Sequence, residues 1–146
     1  MNQTVMLDSG PLVPISHADP SRHGEIKVWF DLLLARDIPV SIPAIVDFEV
    51  CRSLILAERS RSLARLDALQ LQAALLPITN DDLRLAARLR ATSRQHGRSD
   101  GDPKELNADV ILATRAINFP HAVIATENIG HLAQFTEACP SSTIKY

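Results

Sequence analysis

Cysteine is nearly missing from this chain: Cys51 and Cys139 are the only two in 146 residues. Two thiols do not build a disulfide framework, and they fall short of a cysteine zinc site. Both read as small buried hydrophobes. Aromatics are scarce as well, with one Trp, one Tyr and four Phe. No row of stacking platforms for single-stranded bases is therefore visible. No apolar run approaches the ~18 residues of a membrane-crossing helix. The opening MNQTVMLDSG has neither the basic flank nor the apolar stretch of a secretory signal. The expectation is a cytoplasmic protein with no membrane partner. Charge of one sign is also lacking: 15 Lys and Arg face 17 Asp and Glu, a net of −2. That excludes a uniformly basic nucleic-acid glove, though not a local basic face. Finally, there is no glycine-rich phosphate loop of P-loop or dinucleotide type. Gly10 stands two residues after Asp8, where aspartyl-phosphate chemistry uses a second aspartate.

What is present is ordinary globular composition, 46% hydrophobic and 22% charged. That length and mixture suit one domain over residues 1–146. Short apolar runs alternate with longer stretches of helical period. Strands are expected at Thr4–Leu7, Pro39–Ile42, Leu75–Ile78 and His121–Thr126, with a possible terminal strand at Thr143–Tyr146. Asp8-Ser9-Gly10-Pro11 is turn chemistry, and Pro43 suits the first turn of a helix. Helices are expected over Glu25–Arg36, Ala44–Ala57, Arg61–Ala74, about 79–95, Leu106–Ile117 and Ile129–Phe135, with a polar loop over His96–Lys104. Strands alternating with helices imply βαβ units and a mostly parallel sheet under helices, an α/β fold. Right-handed crossovers bring the C-terminal ends of the strands to one edge, where open α/β sheets bind ligands.

Several polar groups fall at that edge. Asp8 ends the first strand, Thr126 and Asn128 end the fourth, and Asp109 lies in the first turn of the Leu106–Ile117 helix. Each has a plainer reading: Asp8 as a turn cap, Asp109 as a partner of the helix dipole, Asn128 as a helix cap. Glu49 is harder to dismiss, because Phe48 and Val50 flank it in a very apolar helix. A carboxylate beside an apolar stripe needs a partner; Arg52, three residues on, offers a surface ion pair. Asp47, the competing acid, reads as solvated. Carboxylates converging on one edge repel one another and raise each other's pKa values. A hard divalent cation removes that conflict, and oxygen-only donors favour Mg²⁺ or Mn²⁺ over zinc. Such a cation suits phosphodiester chemistry.

Leu-Asp-Ser-Gly at 7–10, Phe-Glu-Val at 48–50, Asn-Ala-Asp-Val-Ile-Leu-Ala at 107–113 and Ala-Thr-Glu-Asn at 125–128 resemble, in order and spacing, the PIN-domain family. The resemblance is to the VapC-type ribonuclease toxins of bacterial toxin–antitoxin pairs, and the stretch Asn128–Phe135 is similar to a subgroup of them. It implies a PIN-like three-layer α/β/α sandwich with a mostly parallel sheet of about five strands. It implies a Mg²⁺- or Mn²⁺-dependent endoribonuclease. Asp8 and Asp109 are then the direct metal ligands. Glu49 holds a metal-bound water or a second metal, and Thr126 and Asn128 complete the pocket. Many relatives carry an acid where this chain has Asn128, which weighs toward one metal. It also keeps open a degenerate PIN module that binds RNA or a protein without cutting. Ser9 either hydrogen-bonds in the pocket or shapes the turn.

Around this set, Asp100, Asp102 and Glu105 read as a solvated loop or as the mouth of the site, and His131 as a surface or packing histidine. Arginines cluster at 52, 59, 61 and 65 and again at 84, 88, 90, 94 and 98. Pairs at i and i+4 make basic stripes, either solvated faces or guides for an RNA backbone. By resemblance, the leucine-rich stretch 54–76 corresponds to the groove that receives a cognate antitoxin, and a homodimer is implied.

Overall fold

The structure is a computed structural model that describes the backbone of residues 3–95 and 103–145, and their side chains apart from 93–95, 103–106 and 131. Thr4–Leu7 forms β1, buried at every position. A short run apolar on both faces is what the middle of a parallel sheet requires. Helices α1 (Ser9–Ser16) and α2 (Gly24–Ala35) lead to β2 (Val40–Pro43), and α3 (Ala44–Leu56) and α4 (Ser60–Leu69) lead to β3 (Ala74–Leu76). Then α5 (Asn80–Gln95) and α6 (Pro103–Ile117) return the chain to β4 (Ala122–Ala125), and α7 (Ile129–Leu132) precedes β5 (Ala138–Cys139).

The five strands pair in the order β3-β2-β1-β4-β5, all parallel. The chain steps outward from β1 through β2 to β3, then crosses back to lay β4 on the other side of β1, Val5 opposite Val123. The strand order therefore reverses between β1 and β4. Right-handed crossovers put α1–α4 and α5–α7 on opposite faces, giving the expected α/β/α layers. Phe30, Met6, Leu12, Ile42, Leu112 and Ile124 are fully buried and form the heart of the core. Trp29 donates its indole N–H to the Ile144 carbonyl at 3.1 Å, tying the end of the described chain to α2. No helix among the described residues is long and apolar enough to cross a membrane.

Several local expectations change. Asp8–Pro11 is not a free turn: Asp8 is the N-cap of α1, which begins at Ser9. Pro43 closes β2 and caps α3 rather than opening its first turn. α4 stops at Leu69 and α7 at Leu132, both short of their expected ends. The terminal strand is at Ala138–Cys139, not Thr143–Tyr146; residues 141–143 form a 3-10 turn. The short Ala-Cys pair gave no two-residue period to detect, whereas Thr-Ile-Lys mimicked one. Cys51 and Cys139 are free thiols, half-buried rather than fully buried.

Candidate functional site

The reversal between β1 and β4 opens a crevice at the C-terminal edge of the sheet, the position where open α/β sheets take ligands. Each polar residue there is delivered by a different element. β1 ends directly at Asp8, which is 6% exposed. Its Oδ1 accepts the Ser9 N–H at 2.7 Å, and its Oδ2 accepts the Thr126 hydroxyl at 2.7 Å. Thr126, fully buried past the end of β4, also accepts the Asn128 N–H on the same oxygen at 2.8 Å. One threonine hydroxyl thus links the ends of the two central strands.

Asp109 lies further into α6 than its sequence context implies. The helix starts at Pro103, so Asp109 is in the second turn, beyond the reach of a strong dipole interaction. Its Oδ2 is met by the Asn128 side-chain N–H at 3.5 Å, a long contact. Glu49 is half-buried on α3. Its neighbour Phe48 is 60% exposed, so the apolar stripe does not extend around that side. Asp47 is not the solvated acid that was expected. It is half-buried and accepts from Gln70 Nε2 at 3.2 Å. Desolvation raises its pKa, with the Gln70 bond opposing and Asp67 adding to the rise.

Asp8, Ser9, Glu49, Asp109 and Asn128 line a single cavity of about 340 Å³, and Thr126 anchors its floor through Asp8. Sequence reading missed one lining residue, Glu127. It sits between the two chosen positions of Ala-Thr-Glu-Asn. A strand's alternation ends with the strand, so the consecutive residues 127 and 128 both line the crevice. The available signal was the adjacency itself. Gly10 explains how Glu127 fits: a Cβ at position 10 would lie 3.0 Å from Glu127 Cγ. Ser9 contributes its backbone N–H to Asp8 and lines the cavity. Asp100 and Asp102 lie outside the described residues, as do the side chains of Glu105 and His131.

The cavity thus carries four carboxylates, from Asp8, Glu49, Asp109 and Glu127, with no cationic side chain in its lining among the described residues. An all-oxygen donor set of this kind fits a hard divalent cation such as Mg²⁺ or Mn²⁺ and not zinc. Asp8 retains lone pairs on both oxygens after its two hydrogen bonds. The carboxylates are not drawn together: among the described residues no group of three or more His, Cys, Asp or Glu stands close enough to hold an ion. The donor chemistry of the lining fits the cation.

Comparison with solved structures places this architecture. VapBC2 from Rickettsia felis, bound to a promoter DNA fragment, superposes with a TM-score of 0.74 at 18% identity, covering 94% of this chain and 98% of that one. DNA-bound VapBC from Salmonella typhimurium gives 0.71 at 19% identity, covering 97% and 99%. FitAcB from Neisseria gonorrhoeae gives 0.66 at 19% identity, covering 96% and 99%. The chain has the PIN-like α/β fold, with a five-stranded all-parallel sheet. No family model matches the sequence, and no curated protein does.

Proposed function

We propose that this chain is a Mg²⁺- or Mn²⁺-dependent endoribonuclease, the toxin component of a toxin–antitoxin pair, which hydrolyses RNA phosphodiester bonds in the cytoplasm. The observation that carries this reading is that carboxylates from four segments line one cavity at the strand-order reversal. The likeness to VapBC structures supports it, as does the ordered set of sequence motifs.

In this reading Asp8 and Asp109 hold the cation, with Glu49 and Glu127 completing the acidic wall. The bound cation supplies charge neutralisation at the phosphate and activates water as the nucleophile. The chain's own residues do the rest. Ser9 N–H and the Thr126 hydroxyl fix the Asp8 carboxylate in one orientation. Asn128 takes the place of a further carboxylate, and its amide can donate toward Asp109 or toward a substrate oxygen. Glu49, which lines the same cavity, orients the attacking water and accepts its proton in this reading.

A cognate antitoxin and a second copy of the chain are the proposed protein partners. The exposed Phe48, Ile55, Leu56 and Leu71 on and beyond α3 and α4 are the surface offered to them.

The test is incubation of the purified protein with a mixed RNA pool, with and without Mn²⁺ or Mg²⁺, beside Asp8→Asn and Asp109→Asn. Discrete metal-dependent fragments, lost in both folded variants, are expected. Full turnover by a folded Asp8→Asn protein would sink the assignment. No cleavage and no metal binding by the folded protein would favour the second reading, a non-cutting PIN module, for which Asn128 is the motivating feature.

A further inference from the structure

Two further cavities run from the acidic one along α1. The adjoining cavity shares Gly10 and Glu127 with the acidic site and includes Pro14, His23 and a further carboxylate, Glu25. The next, of about 390 Å³, shares His23 and reaches His17, Arg22 and Arg59 over a floor of Val13 and Leu54. Through these shared residues the three cavities adjoin as one groove whose two ends differ in charge. Among the described residues, the β1–β4 end is lined by four carboxylates and no cation, the far end by two arginines and two histidines and no carboxylate. A chain of net charge −2 has therefore gathered cations at one spot.

The local structure that gathers them is built at some cost. His23 follows Arg22 and adopts φ 58°, and Glu58 precedes Arg59 at φ 55°. Both loops that carry an arginine to the groove thus hold a non-glycine residue in the left-handed region, as do Asp37 and His121 in loops away from it. His17 stacks edge-on against His23 with centroids 5.2 Å apart, and its Nδ1 accepts the Asp19 N–H. The His17 imidazole titrates below its usual range, from desolvation first and then from repulsion by His23, Arg22, Lys27 and Arg59. Asp19, the carboxylate that interacts with this imidazole, holds the Ser21 N–H and hydroxyl on Oδ1. Ser62, buried in the wall, accepts the Ala18 N–H and keeps its own proton to donate.

We propose that this basic end of the groove is a phosphate subsite, which grips the RNA backbone a few nucleotides from the bond cut at the acidic end. The inference rests on the nuclease reading for the acidic end and deepens it. Gly10 and His17 are seven residues apart along α1, roughly 10 Å at ~1.5 Å per residue. At ~3.4 Å per nucleotide of a stacked strand, that spans about three phosphates. With so few aromatics in the chain, backbone charge rather than base stacking is what holds the strand. Arg22 and Arg59 are the residues that grip; His17 and His23 shape the pocket between them.

The test is the affinity of the full-length protein for a dodecamer of uridylate. It is read by fluorescence anisotropy in Ca²⁺ across a salt series, with the RNA checked for integrity. The double variant Arg22→Gln/Arg59→Gln is compared with Arg36→Gln/Lys145→Gln, two exposed cations outside the lining of the groove. The first is expected to bind about tenfold more weakly and to flatten the salt slope by about 0.7 for each phosphate no longer neutralised. Mn²⁺ affinity should stay the same. The second should bind as the parent does, and Trp29 fluorescence melts verify folding of both. Unchanged affinity and slope in the first variant overturns the subsite, even if the parent cleaves RNA. Loss of affinity for a polyglutamate peptide with unchanged RNA binding also overturns it, and assigns the pocket to an acidic protein segment. Arginine-dependent RNA binding by a parent that cuts nothing supports the subsite while the nuclease reading fails.

Discussion

The hydroxyl of Thr126 donates to Asp8 Oδ2 at 2.7 Å and accepts the Asn128 N–H at 2.8 Å, so a single fully buried oxygen couples the ends of β1 and β4. The acid closest to the sheet is thereby held by a residue 118 positions away in sequence.

Thr126→Val should therefore act twice. It keeps the shape, removes a donor from Asp8 and leaves the Asn128 N–H without its acceptor. The expected loss of stability is about 1–3 kcal/mol. Any RNA cleavage should fall about 10–100-fold, as for loss of a residue that orients a ligand. Thr126→Ser should restore most of both. Denaturant unfolding followed by Trp29 fluorescence, beside initial cleavage rates, checks the pair. A valine variant equal to the parent in both would refute the coupling.

Gly10 and Glu127 should separate stability from metal binding. Gly10→Ala adds a helix-favouring methyl in α1 but places it 3.0 Å from Glu127 Cγ, a flexible side chain that must move aside. Its melting temperature should stay level or rise, since alanine gains about 0.5–1 kcal/mol over glycine in a helix. Its Mn²⁺ affinity should drop. Glu127→Gln should weaken Mn²⁺ about tenfold with stability within ~0.5 kcal/mol of the parent. Isothermal titration and thermal melts read both. Undiminished Mn²⁺ binding in both variants would remove Glu127 from the site.

Asp82 and Asp47 should show opposite dependence on pH. Asp82 is fully buried. It accepts from the Thr79 N–H and from Asn118, and lies 3.6 Å from Arg115 Nε. Burial pushes its pKa up, but these bonds and the Arg115 charge outweigh that, and the net shift is downward. A lowered folded pKa adds stability above the unfolded value near 4, and that stability is lost as pH falls through the folded value. Asp82→Asn should therefore be less stable than the parent at pH 7, and the gap should narrow below pH 4.

Asp47 is shifted upward by desolvation. A raised carboxylate pKa penalises the folded state above it, and the penalty vanishes below the unfolded value. Asp47→Asn keeps an oxygen for Gln70 and should be as stable as the parent or more so at pH 7. That advantage should disappear as the pH drops below about 4. Urea midpoints at pH 7, 5 and 3 test both residues; parallel curves for the two variants would contradict the shifts.

Much of this architecture was legible residue by residue. Thr4–Leu7 and Ala122–Ala125 are apolar on both faces because they are central strands, and that pattern is local. Asp8, Thr126 and Asn128 follow strand ends, and the position of a strand's C-terminal edge follows from chain handedness alone. Asp47 misled because its burial depends on Gln70 from the next helix, a contact 23 residues away. The strand at Ala138–Cys139 was missed because two residues carry no period, and pairing with Ile124 and Ala125 is what makes it a strand.

The sequence by itself determined the α/β class, the order of the main elements and the identity of most acids at the edge, because apolar period and turn chemistry act over a few residues. Tertiary packing alone brings Glu127 among them, adds the Thr126 hydroxyl to the Ser9 N–H on Asp8, and sets Arg22 and Arg59 in one groove. Those relations join residues dozens of positions apart. Crossover packing and hydrogen bonding between elements create them, and no local pattern encodes where a side chain from a distant element will end.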